Sequence, residues 1–333
     1  MKIFVTGGAG YIGSHTVLEL LRKDYDVVVF DNLSNSNRES LARIEKETGK
    51  EFDLITGDIR NQILLKKSLA QYKPDCVLHF AGVKSVHESI LNPLKYYDIN
   101  VNGMLSLLIS MMETNCRKIL FSSSATVYGH PNSLPLNETH STVPVNPYGQ
   151  SKLIAEKILS DWVNSDDNFR AICLRYFNPI GADHTGIIGE APIGRPNNLF
   201  PYIVNVAAGE LPQLNVFGDD YQTRDGTGER DYIHVTDLAK FHLNALEKIT
   251  TLQRFEILNV GTGTSTSVLD LIRTFEKATG MEVPYVVKNR RDGDVARVWA
   301  DTGLVERKLD FKCERTIFQA CVDAWRWQQN RFK

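Results

Sequence analysis

Residues 2–13 read Lys2-Ile3-Phe4-Val5-Thr6-Gly7-Gly8-Ala9-Gly10-Tyr11-Ile12-Gly13, and this stretch decides the fold. It starts with an apolar, β-branched run that predicts a strand, and apolar residues at helical spacing follow over 13–23. Glycines between a strand and a helix let the backbone approach a phosphate, and the free amides at the helix start attract its negative charge. The stretch therefore predicts a strand–loop–helix unit that binds a dinucleotide.

The glycine loop and the end of the second predicted strand together indicate which dinucleotide is bound. Gly7, Gly10 and Gly13 follow the spacing G-x-x-G-x-x-G, for which an ordinary glycine-rich turn is the alternative interpretation. Asp31 lies 18 residues after Gly13, where a carboxylate commonly binds the adenosine ribose, although an Asp after a strand can also be a helix cap. Because a carboxylate repels the extra phosphate of NADP, the pattern favours NAD.

Short apolar strands alternate with amphipathic helices through the first half of the chain. The continuous hydrophobicity of Cys76-Val77-Leu78 is typical of strands that are covered on both faces. We therefore predict an α/β fold with a Rossmann-type, doubly wound parallel sheet. The predicted strands are 3–6, 26–30, 53–56, 75–80, 117–122 and 171–175, and the helices between them are 13–23, 62–72, 93–115 and 149–164.

The pattern changes near residue 177 to loops rich in Gly, Pro and Asn, with predicted helices at 199–209, 235–248, 267–279 and 315–329. We predict an NAD-binding domain over 1–177 and a smaller α/β substrate-binding domain over 178–333, with some exchange of chain between them. Ligands of doubly wound folds bind beyond the carboxyl ends of the strands, so the second domain would form the other wall of this crevice.

The composition indicates a folded protein that acts on a small molecule. Hydrophobic residues make up 42% of the 333 residues, and the formal net charge of -2 provides no basic surface for nucleic acid. No apolar run predicts a signal peptide or a membrane span. The five scattered cysteines predict buried thiols in a reducing compartment rather than a metal site or disulfides. We expect a cytoplasmic location.

Tyr148 and Lys152 open a predicted helix just after Pro147 and, at i and i+4, share one helical face. A free phenol has a pKa of about 10, and a neighbouring ammonium favours its phenolate form. A lone Y-x-x-x-K is often incidental. Here Ser124 lies at the carboxyl end of a predicted strand, so a hydroxyl reaches the same crevice and makes a reactive site more plausible.

These motifs resemble the extended short-chain dehydrogenase/reductase superfamily, which uses a Ser or Thr, a Tyr and a Lys beside a glycine loop. Further segments resemble the UDP-galactose/UDP-glucose 4-epimerase family over essentially the whole chain. They are 31–33, 57–60, 79–82, 122–129, 174–178, 196–199 and 225–235.

The resemblance implies Tyr148 as the catalytic acid and base, Ser124 as its hydrogen-bonding partner and Lys152 on the nicotinamide ribose. It places cofactor contacts at Gly7, Gly10, Tyr11, Ile12, Gly13, Asp31, Asn32, Asn35, Asp58, Ile59, Phe80, Ala81, Gly82, Lys84, Asn100, Ser124, Tyr148, Lys152 and Phe177. It places substrate contacts at Lys84, Ser124, Tyr148, Asn178, Asn198, Leu199, Arg230, Arg291, Asp294 and Val298.

The activity implied by the resemblance is reversible inversion of carbon 4 of a UDP-hexose through a 4-keto sugar, with NAD tightly bound. Val298 stands where a larger residue restricts relatives to plain hexoses, so activity on N-acetylated UDP-hexosamines is also expected; alternatively, Val298 is merely a core residue. The family commonly forms homodimers through helices that correspond to 103–112 and to the helix after Tyr148, although the same pattern also fits burial within one subunit.

Two other functions remain open at this point. Another NAD-dependent nucleotide-sugar epimerase or a 4,6-dehydratase would share the fold, but dehydratases of the superfamily resemble T-D-E where this chain has Ser124-Ala125-Thr126. An NAD-sensing binding protein would share the glycine loop, but such proteins typically lack the Tyr and Lys pair. Product analysis distinguishes these functions, because epimerisation conserves the mass of the sugar and dehydration removes water.

Overall fold

A seven-stranded sheet forms the centre of the structure, a computed structural model that describes residues 1–194, 196, 198–291 and 293–332. The strands are β1 (Lys2–Thr6), β2 (Asp26–Asp31), β3 (Asp53–Thr56), β4 (Cys76–His79), β5 (Lys118–Ser124), β6 (Arg170–Tyr176), β7 (Asn178–Ile180), β8 (Leu214–Phe217), β9 (Glu229–Arg230), β10 (Tyr232–His234), β11 (Phe255–Val260), β12 (Thr266–Ser267), β13 (Tyr285–Lys288) and β14 (Arg297–Val298). The order in the central sheet is β11-β6-β5-β4-β1-β2-β3, and every pairing is parallel.

Helices cover both faces of this sheet. The α-helices of the described residues, some of which cover the sheet, are α1 (Tyr11–Arg22), α2 (Arg38–Thr48), α3 (Gln62–Tyr72), α4 (Val86–Leu91), α5 (Pro93–Tyr96), α6 (Gly103–Glu113), α7 (Pro147–Ser165), α8 (Leu199–Ala207), α9 (Val235–Lys248), α10 (Val268–Thr279), α11 (Gly303–Leu309) and α12 (Ile317–Asn330). A π-helix, Tyr97–Asn102, joins α5 to α6, and a 3-10 turn, Ala125–Val127, follows β5.

Side chains of alternate strand residues pack into two hydrophobic cores, one on each face of the sheet. Val5 of β1 packs with Leu18 of α1 and Phe241 of α9 on one face. Its neighbour Phe4 packs with Leu107 of α6 on the other face, which also carries α3 and α7. Both faces of each central strand are therefore buried, which explains the continuous hydrophobicity of their sequences. The prediction of a Rossmann-type, doubly wound sheet is confirmed.

The chain returns to the first sheet after it has entered the second predicted domain. β11 pairs with β6 from Phe255 opposite Ala171 to Val260 opposite Tyr176. α9 lies against α1, and α11 packs against α9 and β11. The segment 235–260 thus completes the sheet and one of its faces, although residues on either side of it belong to a separate core.

That separate core forms a smaller unit beside the carboxyl ends of the central strands. Phe200 of α8, Leu214 of β8 and Phe275 of α10 are buried in it together with residues of α12. Three small sheets accompany it: β7 with β10, β8 with β13, and β12-β9-β14. Among the residues that the structure describes, no helix is both long and apolar enough to cross a bilayer.

Candidate active site

The glycine loop is packed so tightly that side chains cannot be added to it. Gly7 has φ +71°, and a Cβ on it would lie 2.5 Å from the backbone nitrogen of Ala81. A Cβ on Gly13 would lie 2.2 Å from the carbonyl oxygen of Gly7. α1 begins at Tyr11 with Gly10 as its N-cap, without a capping side chain and without an acidic residue in the first turn. The start of α1 therefore offers its amides to an anionic ligand.

The carboxylate of Asp31 is oriented at the end of β2, beside this loop. It accepts hydrogen bonds from the backbone nitrogen of Ala9 at 3.0 Å, from that of Leu33 at 2.8 Å and from the hydroxyl of Ser36 at 3.1 Å. Its side chain is buried, so these donors replace water. The predicted ribose acid and the predicted phosphate loop thus form one contiguous surface.

The loop after β3 continues the rim of the predicted cofactor site, the edge formed by the glycine loop and Asp31. The amide of Asn32 donates to Asp58 at 3.3 Å, and the Arg60 guanidinium holds the pKa of the Asp58 carboxyl well below its usual range. Ile59 is buried against the start of α6, where a Cβ on Gly103 would lie 2.6 Å from its side chain. Asn35 is exposed in the loop between β2 and α2.

Asn100 fixes the segment after β4 from within the π-helix, a feature that often marks functional sites. Its side-chain oxygen accepts from the backbone nitrogen of Val83 at 2.9 Å, and its amide donates to the Val83 carbonyl at 3.1 Å and to the Ser151 hydroxyl at 3.0 Å. A Cβ on Gly82 would lie 2.8 Å from the Asn100 oxygen. The segment Ala81 to Lys84 is thereby tied to α7, the helix that carries Tyr148.

Two contacts join the rim of the cofactor site to the smaller unit. The hydroxyl of Tyr11 donates to the carbonyl of Gly181 at 2.7 Å. The ammonium of Lys84 lies 3.1 Å from a carboxylate oxygen of Glu190 and 5.9 Å from the centre of the Tyr11 ring. Phe80 packs against His242 of α9, with 4.8 Å between the ring centres. Glu190 and His242 were not predicted as site residues, because their partners lie more than 100 residues away and no local pattern marks them.

Ser124, Tyr148 and Lys152 converge beyond the carboxyl end of β5. Asn146 caps α7 by accepting from the backbone nitrogen of Gly149 at 2.8 Å, and Pro147 starts the helix. Ser124 ends β5 and interacts with the Tyr148 hydroxyl. The ammonium of Lys152 lies 6.0 Å from the centre of the Tyr148 ring and donates to the Ser122 carbonyl at 2.6 Å.

Burial changes the protonation of both ionisable groups in this trio. It raises the pKa of Tyr148, and the hydrogen bond with Ser124 acts in the opposite direction. It lowers the pKa of Lys152 to about 8, which interaction with Glu156 partly opposes. Below that pH the Lys152 ammonium is charged and favours the phenolate of its neighbour. A phenol, a hydroxyl and an ammonium in contact form a device for moving one proton.

Several predicted substrate contacts, here called the substrate wall, lie on and around the small sheet β12-β9-β14 of the second half of the chain. The guanidinium of Arg230 on β9 lies 2.5 Å from Asp294, and Val298 on the neighbouring strand β14 is paired in register with Arg230. The amide of Asn178 donates to the Asp231 carbonyl at 3.0 Å. Arg291 covers the ring of Phe217 at 3.9 Å.

Three more predicted contacts lie at the start of α8 or in the core. Asn198 is exposed at the N-cap of α8, and Leu199 begins that helix half-buried. Phe177 is buried with Tyr128 and Ala300 in a small hydrophobic cluster on which Val298 also packs. The structure therefore places the predicted residues in two groups, one around the glycine loop and the trio and one on the substrate wall, and Phe177 packs with Val298 of the second group.

Comparison with known proteins identifies the family. Residues 3–261 match the NAD dependent epimerase/dehydratase family. Over 330 residues the chain is 48% identical to the UDP-glucose 4-epimerase of Bacillus subtilis (strain 168), covering 99% of this chain and 97% of that protein. The chain belongs to the UDP-glucose 4-epimerase family.

Solved structures of this family share the whole architecture. The UDP-glucose 4-epimerase of Bifidobacterium longum, solved with NAD+ and UDP, is 46% identical with a TM-score of 0.95 and coverage of 99% of both chains. The UDP-Glc/GlcNAc 4-epimerase of Campylobacter jejuni is 34% identical with a TM-score of 0.86, covering 98% of this chain and 99% of that one. The predictions of the family, of NAD dependence and of an epimerase are confirmed at this level.

The residues at the glycine loop fit a dinucleotide. The uncapped start of α1, the close approach allowed by Gly7 and Gly13, and the oriented carboxylate of Asp31 are the donors and acceptor that a diphosphate and a ribose require. Within the described residues, no cluster of His, Cys, Asp and Glu side chains could hold a metal ion.

Replacing Lys152 by Met is expected to abolish turnover and to stabilise the cofactor-free protein at pH 7. Because burial lowers the pKa of Lys152 from 10.5 to about 8, the folded protein binds this proton less tightly than the unfolded chain. The resulting destabilisation, about 3 kcal/mol, is complete below pH 8 and disappears as the pH rises toward 10.5. Urea unfolding at several pH values measures it.

The matched control is Lys157→Met, which removes an exposed lysine of the same helix. It should change the free energy of unfolding by less than about 0.5 kcal/mol at any of these pH values. A Lys152→Met protein that is less stable than the parent at pH 7 would contradict the assignment of a destabilising buried ammonium.

Proposed function

We propose that this chain interconverts UDP-glucose and UDP-galactose by inverting carbon 4 of the hexose, with NAD as a tightly bound cofactor. The observation that carries the proposal is the convergence of Ser124, Tyr148 and Lys152 at the carboxyl end of β5, beside a glycine loop that fits a dinucleotide. The relatives named UDP-glucose 4-epimerase match the chain over its full length, which supports the same substrate class.

When bound, NAD supplies a reversible acceptor for the hydride on carbon 4. Tyr148 accepts the proton of the carbon 4 hydroxyl and later returns it, while Ser124 donates a hydrogen bond to the reacting oxygen. The Lys152 ammonium stabilises the phenolate form of Tyr148. Ser124 and Lys152 are buried and Tyr148 is half-buried, which limits the water that would compete for the proton.

Inversion requires that the sugar turn over while its nucleotide stays anchored. Arg230 and Arg291 lie on the substrate wall and supply guanidinium groups suited to a diphosphate. Arg230 is already paired with Asp294, so a diphosphate that binds there replaces one anion by another without burying an unpaired charge. The amide of Asn178, bonded to the carbonyl of Asp231 next to Arg230, adds a polar group to this wall.

Tyr148→Phe is expected to lower kcat by about 10³-fold, because the substitution removes only the group that exchanges the proton. Incubation of the purified protein with each UDP sugar, followed by separation of the products, measures the rate and distinguishes inversion from loss of water. Tyr285→Phe, at an exposed tyrosine, is the matched control and should retain full activity. Unchanged turnover in Tyr148→Phe would reject the proton-transfer role.

We also propose that the substrate range includes the N-acetylated UDP-hexosamines. Val298 is a small, half-buried residue of the substrate wall, paired with Arg230. The similarity to a UDP-Glc/GlcNAc 4-epimerase supports this broader range. Packing of Val298 against the cluster around Phe177 supports the alternative that it serves only the core.

Val298→Tyr is expected to lower kcat/KM for UDP-N-acetylglucosamine by more than about tenfold and to spare UDP-galactose, because a ring at this position takes the space of the acetamido group. Val287→Tyr, at an exposed valine, is the control. Equal losses on both sugars would show that the substitution perturbs the core instead of the sugar pocket.

We propose that the enzyme is a homodimer. Leu105, Ile109 and Met112 lie on successive turns of α6 and are 41%, 41% and 47% exposed. An exposed apolar stripe of this kind on a helix of the NAD-binding unit supports a helix-bundle interface with a second copy of the chain. The five free cysteines support a reducing compartment, for which we propose the cytoplasm.

Leu105→Lys combined with Ile109→Lys is expected to convert the dimer into monomers in sedimentation equilibrium, because two ammonium groups cannot be buried unpaired in an apolar interface. Ile63→Lys, at an isoleucine of α3 that is 84% exposed, should leave the mass unchanged. A dimeric double variant would place the interface elsewhere.

We propose the division of labour between the units as follows. Residues 1–177 bind NAD and residues 178–333 bind the UDP sugar, with α9, β11 and α11 contributed to the NAD-binding unit by the second half of the chain. The pairing of β11 with β6 and the packing of α9 on α1 support this exchange.

A further inference from the structure

A buried ion pair behind the trio has no part in the mechanism described above. Glu156 on α7 accepts from Arg175 on β6 at 2.9 Å and 2.7 Å, and both side chains are only 3% exposed. The same carboxylate accepts from the Ser123 hydroxyl at 2.5 Å. A buried pair costs desolvation energy and is often no more stable than an apolar pair, so stability alone does not explain its presence.

The last three residues of β5 all contact α7. Ser124 interacts with Tyr148, the Ser122 carbonyl accepts from Lys152, and the Ser123 hydroxyl donates to Glu156. Three consecutive residues of the strand thus contact three positions spaced one turn apart on the helix. Because Ser123 lies between the two residues that contact the reactive groups, its bond to Glu156 fixes the height of β5 against α7.

The ion pair is itself fixed by a chain of contacts that reaches the other side of the crevice. The Arg175 guanidinium lies 4.8 Å from the centre of the Tyr128 ring, and the Tyr128 hydroxyl donates to Asn259 at 2.6 Å. Asn259, on β11, donates to the Leu136 carbonyl at 2.8 Å. Glu156 therefore rests on β6 and β11 as well as on its own helix.

We propose that Glu156 is a positioning residue for proton transfer, which aligns Ser124 with Tyr148 through Ser123 and keeps the neighbouring Lys152 ammonium charged. The effect of Glu156 on turnover rests on the proposed function. Its structural content, the coupling of Glu156 to Lys152, does not depend on the substrate.

The electrostatic part follows from the groups around Lys152. They are Tyr148 and Glu156 on α7, His79 on β4 and Cys173 on β6, and Arg175 joins them as the ion-pair partner of Glu156. Burial lowers the pKa of His79 to about 3, so that ring is neutral near pH 7, and burial raises the pKa of the Cys173 thiol. Glu156 is thus the carboxylate that opposes the effect of burial on Lys152.

Glu156→Gln keeps the shape of the side chain and removes its charge, which leaves Arg175 without its carboxylate partner. We expect the Lys152 titration midpoint to fall by about 1 pH unit. NMR titration of lysine labelled at the ε-carbon, in cofactor-free protein and with the Lys152 signal assigned by its loss in Lys152→Met, measures the midpoint. The alkaline limb of the kcat profile should move by the same amount, and Glu156→Asp should restore most of it.

Ser123→Ala tests alignment separately, because it leaves the ion pair intact. We expect kcat to fall about tenfold with KM within twofold of the parent, and the Lys152 midpoint to stay unchanged. Ser110→Ala removes a buried serine hydroxyl from α6, far from the trio, and should leave kcat unchanged.

A Lys152 midpoint that does not move in Glu156→Gln would overturn the electrostatic coupling. A Ser123→Ala protein with the parent kcat would overturn the role of Ser123 in aligning Ser124 with Tyr148. If Glu156→Gln does not fold, the Ser123→Ala variant alone tests the positioning role. Failure of the proposed function is distinguished from both results, since the parent protein would then leave all four UDP sugars unchanged while its Lys152 titration could still be measured.

Discussion

The parallel pairing of β1 with β2 on one side and with β4 on the other is the constraint on which the site depends. Because the connections after β1 and β4 leave the sheet toward opposite faces, a crevice opens between them at the carboxyl ends of the strands. The backbone of Gly7 lies against that of Ala81 across this opening, which excludes any side chain there. The cofactor loop, the reactive trio and the substrate wall all take their positions from this crevice.

Most of the central sheet could be predicted because its strands are covered on both faces and are therefore continuously apolar. Among the elements that were not predicted, two have a clear physical reason. α2 buries only Leu41 and Ile44, so its apolar stripe is too sparse to stand out. β11 was not separated from the second domain, because its pairing with β6 joins residues about 80 positions apart. The predicted helix 93–115 is in fact interrupted by the π-helix that carries Asn100.

The trio was accessible to sequence reasoning because its parts are local. Tyr148 and Lys152 are one helical turn apart, and Ser124 ends a recognisable strand. The residues that support the trio were not found, since each bond joins residues far apart in the sequence: Ser123 to Glu156, and Tyr128 to Asn259. Glu156, one turn beyond Lys152, was the only member that helical spacing alone could have suggested. A charge on a helix usually indicates a solvated face, and the structure shows this one buried.

The late arrival of β11 has a consequence for biosynthesis. During translation, β6 remains an outer strand with unpaired amide and carbonyl groups until Phe255–Val260 leaves the ribosome, about 80 residues later. At about 5–20 residues per second, that interval lasts about 4–16 seconds. Until then, the outer edge of β6 is open to pairing with any other extended segment of the nascent chain.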